Sequence, residues 1–339
     1  MSGEIFDCGD VVLQNEGRLT NARLVYQTVG RLNTARDNVI LYPTSFATSH
    51  ADIAWLAGPG RALDTERYFI VMPNMLGNGL SASPSQHAPG SFPLIRLFDS
   101  VLLQHRLLRE KFQVERLKLV VGFSMGGQQA YHWAALFPDM VERLAVICGS
   151  AKTSRHNLVF IQGVKAALTG DPAWNGEFFR APAGRGLKAM ARVYAGWGMS
   201  AQFYRDEEYL RAGYRSLEDF LVNDWEAFFA NKDANDLMAM LGAWEGADIS
   251  ANARYGGDLA KALGSIQASA LIMPSRTDMY FSPADSEAEV RLMPNAELSV
   301  IDTIWGHRVN NPRQNPADAA FVERQLARLL AADGSRRRA

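Results

Sequence analysis

The 339-residue chain carries 35 Lys and Arg against 36 Asp and Glu, a formal net charge of −1, with 47% hydrophobic and 21% charged residues. This balance gives no electrostatic basis for binding nucleic acid or an anionic membrane, and it is ordinary for a globular protein of one large α/β domain with an insertion, or of two domains. The two cysteines, Cys8 and Cys148, are too far apart in sequence to suggest a disulfide framework and fit a reducing cytoplasm.

Val11 to Gly30 reads as two strands joined by a turn at Asn15-Glu16-Gly17, a hairpin at a sheet edge. The acidic residues Glu4, Asp7 and Asp10 before it leave no apolar segment for a signal peptide. Asn38 to Tyr42 and Tyr68 to Met72 are interior-looking strands, with a loop and short helix from Gly58 between them. Leu94 to Lys111 has helical spacing and leads into the strand Leu119-Val120-Val121. Leu144 to Cys148 is another buried strand. Strand, helix and strand at these intervals predict a mainly parallel sheet with helices on both faces.

From about Ala151 to Tyr255 strand-like runs disappear. Arg192 to Met199, Glu218 to Trp225 and Asp236 to Trp244 read as short amphipathic helices, so residues 151–255 are expected to form a helical cap. The core, residues 1–150 and 256–339, resumes with the strand Ala270 to Met273. It ends with a strand from Ala296 to Ile301 and a helix over roughly Pro316 to Ala331. Leu119 to Pro138 lacks formal charge, but its Gly, Ser, Gln and His argue against a membrane span. The basic run Arg336-Arg337-Arg338 reads as a solvated tail.

The chemistry starts at Gly122-Phe123-Ser124-Met125-Gly126. This Gly-x-Ser-x-Gly sequence sits between a β-branched strand and a helix-compatible run, the context of a nucleophile elbow. Small residues on both sides let a strained turn hold the serine at its tip. A serine hydroxyl needs a base oriented by a carboxylate, and in α/β-hydrolases the chain order is serine, acid, histidine. Downstream lie His132, on the elbow helix itself, His156, at the cap entrance, and His307, in a loop after the last strand; His307 is the expected base. Asp278 follows a buried strand at the carboxyl end of the sheet and is the expected acid, ahead of Asp285 and Asp302. The expected oxyanion donors are the N–H of Met125 and, after the Val39–Tyr42 strand, the N–H of Ser45, with its neighbour Phe46 as the alternative.

These residues resemble the homoserine O-acetyltransferase branch of the α/β-hydrolase superfamily over most of the chain. The likeness runs through Gly58-Pro-Gly-Arg-Ala-Leu-Asp, the turn Asn74-Met-Leu-Gly77, the elbow through Ala130 and Ser150-Ala-Lys-Thr at the cap entrance. The resemblance implies an α/β-hydrolase fold, the triad Ser124, Asp278 and His307, and a homodimer built through the cap. It also implies acetyl transfer from acetyl-CoA through a serine acyl-enzyme. Two departures stand out. The family's Asp after the histidine, which holds the homoserine ammonium, is Arg308 here, and its His-Ala-Leu-Thr-Gly segment is replaced around Pro43 to Ala47. Arg308 suits a substrate with an anionic or polar group rather than an amine.

The expected activity is therefore hydrolysis of a small ester or related acyl substrate through an acyl-enzyme. The alternative is an O-acetyltransferase, with acetyl-CoA as co-substrate. A non-catalytic binding module would have no need of all three triad residues. No cofactor is expected, and scattered histidines with unpartnered cysteines suggest no metal site.

Overall fold

The computed structural model describes residues 3–309 and 311–332, so the basic run at 336–338 lies outside the described residues. Its centre is an eight-stranded sheet of order β1-β2-β4-β3-β5-β6-β7-β8. The strands are β1 (Glu4–Val12), β2 (Arg18–Val29), β3 (Val39–Leu41), β4 (Phe69–Pro73), β5 (Leu119–Phe123), β6 (Arg143–Ile147), β7 (Ser269–Met273) and β8 (Ala296–Leu298). β1 and β2 form the expected antiparallel edge hairpin, although β1 starts at Glu4 rather than at Val11; β2 joins β4 antiparallel, and every later pairing is parallel.

Burial explains this layout. β2 alternates buried and exposed positions, as a strand with one wet face should, whereas β3, β4, β5 and β6 are buried throughout. Within β5, Val120 packs into one apolar layer while Leu119, Val121 and Phe123 pack into the other. The first layer holds the elbow helix Met125–Leu136, through Ala130 and Trp133, and the second holds the last helix, Pro316–Ala331, through Val322, Leu326 and Leu330. Each fully buried Leu or Ile in these layers contributes about 1.5–3 kcal/mol.

Between β6 and β7 the chain is helical. Arg155–Thr169, Gly184–Gly198 and Ala234–Glu245 are its longest helices, and Leu217–Phe220 runs on into a wider π turn at Leu221–Glu226. Ser154, Ser216 and Asp233 cap three of these starts with side chains that accept backbone N–H bonds. The helix over Gly184–Gly198 begins well before the Arg192 start read from spacing. Its glycines mask it: a Cβ on Gly186 would lie 2.3 Å from the Leu168 carbonyl oxygen, so the residue serves close helix packing rather than a loop. No helix of the described residues is long and apolar enough to cross a membrane.

Candidate active site

Parallel β5, β6 and β7 end at one edge of the sheet, and the chain leaves each of them there into a loop or turn. Ser124 stands just past β5 with φ 56° and ψ −125°, a left-handed conformation that costs a non-glycine residue about 1–3 kcal/mol. Its N–H donates to the Ile147 carbonyl of β6 at 2.8 Å, which pins the bend to the neighbouring strand. The surrounding glycines are sterically required. A Cβ on Gly122 would stand 2.0 Å from the Gly126 carbonyl oxygen, and one on Gly126 would stand 2.7 Å from the Pro43 carbonyl oxygen. Gly122→Ala should therefore destabilise the protein by at least about 2 kcal/mol and remove activity with it, read by thermal unfolding and ester turnover side by side.

Asp278 and His307 meet. The His307 Nδ1 lies 2.7 Å from Asp278 Oδ2, while Asp278 Oδ1 accepts the N–H groups of Tyr280 at 2.7 Å and Phe281 at 3.1 Å. Both oxygens of a carboxylate whose side chain is 0% exposed are thus engaged, and its orientation is fixed. An imidazole that donates from Nδ1 presents a lone pair at Nε2, the tautomer a general base requires. Phe123, Tyr280 and Phe281 pack around the ring, with centroids at 4.7, 4.7 and 5.6 Å. The alternatives lie elsewhere: Asp302 pairs at the surface with Arg276 at 2.7 Å, and Asp285 occupies the first turn of the helix Pro283–Val290. His132 is buried on the elbow helix with Nδ1 on the Gln128 carbonyl, and His156 is exposed beside Trp197.

Ser124 and His307 line one cavity of about 520 Å³. Among the described residues no hydrogen bond engages the Ser124 hydroxyl, so its bond to a base is left to form with substrate present, as is common in free enzymes. The walls are aromatic: Phe46 stacks on Tyr194 at 5.6 Å, and Trp225, Phe229, Trp244 and Tyr280 complete them. The cavity's one carboxylate among the described residues, Asp52, accepts from both the N–H and the hydroxyl of Ser49.

Two expectations change. The Ser45 N–H donates to Thr48 Oγ1 at 2.9 Å, and the Ser45 hydroxyl bonds the Phe123 carbonyl oxygen and accepts from the Gly126 N–H at 3.3 Å. Ser45 therefore braces the elbow and has no N–H left for an oxyanion. Its neighbour Phe46 carries an N–H with no hydrogen bond among the described residues, in a turn where Ala47 takes φ 56°. Met125 opens the elbow helix, where an N–H has no intrahelical acceptor. Arg308, expected to meet an anionic or polar group of the substrate, has a partner within the protein. It lines the cavity, but Nη1 and Nη2 both donate to the Asp224 carboxylate, and the group lies 4.7 Å from the centre of the Trp225 ring.

The fold also assembles one group that sequence spacing could not. Cys148, Asp278 and His307 have potential ligand atoms within 4.8 Å of one another, all buried. Burial, with the Asp278 charge beside it, pushes the Cys148 thiol well above its ordinary range. A protonated thiol is a poor metal ligand, and the imidazole Nδ1 is already bound to the carboxylate, so the donor set does not fit an ion.

A family model described as the alpha/beta hydrolase fold matches residues 38–307. An ethyl acetate hydrolase of Pseudomonas veronii is 37% identical over 312 residues, covering 90% of this chain and 88% of the relative. A homoserine O-acetyltransferase of Trichormus variabilis is 30% identical over 314 residues, covering 87% of this chain and 86% of the relative. The solved structure of an acetylester hydrolase from Corynebacterium glutamicum superposes with a TM-score of 0.93 at 35% identity, covering 97% of this chain and 96% of that one.

Proposed function

The chain belongs to the α/β-hydrolase family, and on that premise we propose that it is an esterase that cleaves short acyl esters, acetates first, of small neutral alcohols. The observation that carries this reading is the oriented His307–Asp278 pair sharing one aromatic-walled cavity with Ser124.

Ser124 Oγ attacks the ester carbonyl while His307 Nε2 takes its proton. The N–H groups of Met125 and Phe46 receive the oxyanion. His307 returns the proton to the leaving alcohol, then takes one from a water whose oxygen attacks the acyl carbonyl. It gives that proton to Ser124 Oγ as the acyl–oxygen bond breaks and the acid leaves. Asp278 accepts from Nδ1 and holds the imidazole in the productive tautomer. The aromatic walls around Ser124 favour an apolar acyl group, and the Arg308 charge beside them is matched by Asp224. The position after the base, where the homoserine O-acetyltransferases carry an Asp for the substrate ammonium, is Arg308 here, which disfavours transfer to homoserine.

The same reading takes the enzyme as cytoplasmic, in keeping with two buried free thiols, and as needing no metal or cofactor. It also takes residues 151–255 as a cap through which two copies pair. The test follows hydrolysis of p-nitrophenyl acetate, p-nitrophenyl butyrate and ethyl acetate, together with CoA release from acetyl-CoA with and without homoserine. Acetate cleavage with no alcohol-dependent CoA release is expected. Homoserine-dependent CoA release would establish the transferase reading, which the 30% identical relative represents, and would overturn the hydrolase.

A further inference from the structure

The loop that carries His307 is fastened from the helical insertion as well as from the sheet. The sheet side uses Thr277, whose hydroxyl donates to the Thr303 carbonyl at 2.9 Å and accepts the Gly306 N–H at 3.1 Å. The insertion side is denser. The His307 N–H donates to the Gly198 carbonyl at 2.9 Å, where the helix Gly184–Gly198 ends. Ser200 Oγ donates to the Ile304 carbonyl at 2.5 Å. The fit at Gly306 is closed: with φ 58°, a Cβ there would lie 2.6 Å from the Gly198 carbonyl oxygen. Directly after the histidine, Arg308 reaches Asp224 in the π turn Leu221–Glu226 and lies over the neighbouring Trp225.

We propose that Arg308 is a positioning residue, and that its pairing with Asp224 holds His307 in register with Ser124 by tying the base's loop to the helical insertion. The pair has the properties that such a role needs. Two-point guanidinium–carboxylate contact fixes direction as well as distance, which an ammonium cannot do. Its side chains are 22% and 12% exposed, so solvent screens the pair only partly. It is also adjacent in sequence to the base, where a small displacement of the backbone carries directly to the imidazole. Misplacement by an ångström can cost about 100-fold in rate. The pairing further implies that the insertion does not swing clear of the sheet during turnover, because opening there would take the base with it.

The inference rests on the esterase reading of Ser124 and His307, and the two fail differently. If Ser124→Ala keeps its activity, the site itself is wrong. The present inference is tested with Arg308→Met, Asp224→Asn, the double variant and Arg308→Lys, all assayed on p-nitrophenyl acetate well below their unfolding temperatures. The expected result is a fall in kcat of about 10- to 100-fold for either single change, with KM moving less than about threefold. The double variant should be no worse than either single one, and Arg308→Lys should recover part of kcat. Inactivation by diethyl p-nitrophenyl phosphate, which needs only an activated serine, should slow in step with kcat. The downfield proton resonance of His307 Nδ1–H should broaden in both single variants. If KM rises in Arg308→Met alone with kcat intact, Arg308 binds substrate instead. If both variants melt earlier but turn over and inactivate normally, the pair is structural only.

Discussion

Ser124→Ala is expected to lower ester turnover by about four to six orders of magnitude, because the hydroxyl that forms the acyl-enzyme is gone while only the oxyanion donors and the cavity remain. KM should change little, since the aromatic walls that hold the substrate are intact. A second substitution at the same position separates chemistry from strain. Ser124 adopts φ 56° and ψ −125°, a conformation that alanine shares at the same cost and glycine takes without a Cβ clash. Ser124→Gly should be as inactive as Ser124→Ala, yet more stable than it by about 1 kcal/mol, after the greater chain entropy that glycine loses on folding. Turnover of p-nitrophenyl acetate and thermal unfolding of the three proteins check both parts. Activity in Ser124→Ala would remove the nucleophile assignment. A glycine variant less stable than the alanine variant would show that the elbow is not strained.

The elbow was legible because it depends on short-range rules. Leu119 to Phe123 is a run that fits a strand buried on both faces, and Gly122 and Gly126 stand where a Cβ would strike backbone atoms. The pairing of Asp278 with His307 was legible from chain order, since both follow strands and so reach the same sheet edge. Legibility ended where a role depends on the direction of one bond. Ser45 and Phe46 differ only in which N–H the Ser45–Thr48 turn consumes, and that is settled by the Thr48 hydroxyl and the left-handed Ala47. The pairing of Arg308 was not legible because its partner, Asp224, lies 84 positions away inside a helix-like run. The grouping of Cys148 with the Asp278–His307 pair arises from parallel strand ends and leaves no trace in residue spacing. Gly184 and Gly186 disguised a helix as a loop because glycine's signal is the same for a turn and for close packing.

The same sheet edge carries a buried acid outside the reaction, and its titration predicts the pH dependence of stability. Glu289, on the helix Pro283–Val290 that follows the Asp278 loop, accepts the Ala151 N–H at 2.8 Å where the chain leaves β6 for the helical insertion. Its other carboxyl oxygen is buried beside the Tyr131 hydroxyl. Burial pushes Glu289 up to about 8 from an ordinary 4.5, so the folded protein keeps this group protonated at neutral pH. Between those values the unfolded chain releases a proton that the folded one retains. Stability should therefore fall as pH rises from about 4.5 to about 8 and gain no further slope from this group outside that window. At about 1.4 kcal/mol for each tenfold in proton affinity, the full span is on the order of 5 kcal/mol. Glu289→Gln keeps the acceptor for Ala151 and cannot ionise. Its stability should match wild type near pH 5 and exceed it by several kcal/mol near pH 8.5, a gap of roughly 10 °C in Tm. Asp236, also pushed up by burial, to about 6, adds a slope of the same sign to both proteins and cancels in the difference. Parallel Tm profiles for the two proteins from pH 5 to 8.5 would mean that Glu289 is ionised in the folded state. In that case the junction at Ala151 is held by a charge rather than by a neutral acid.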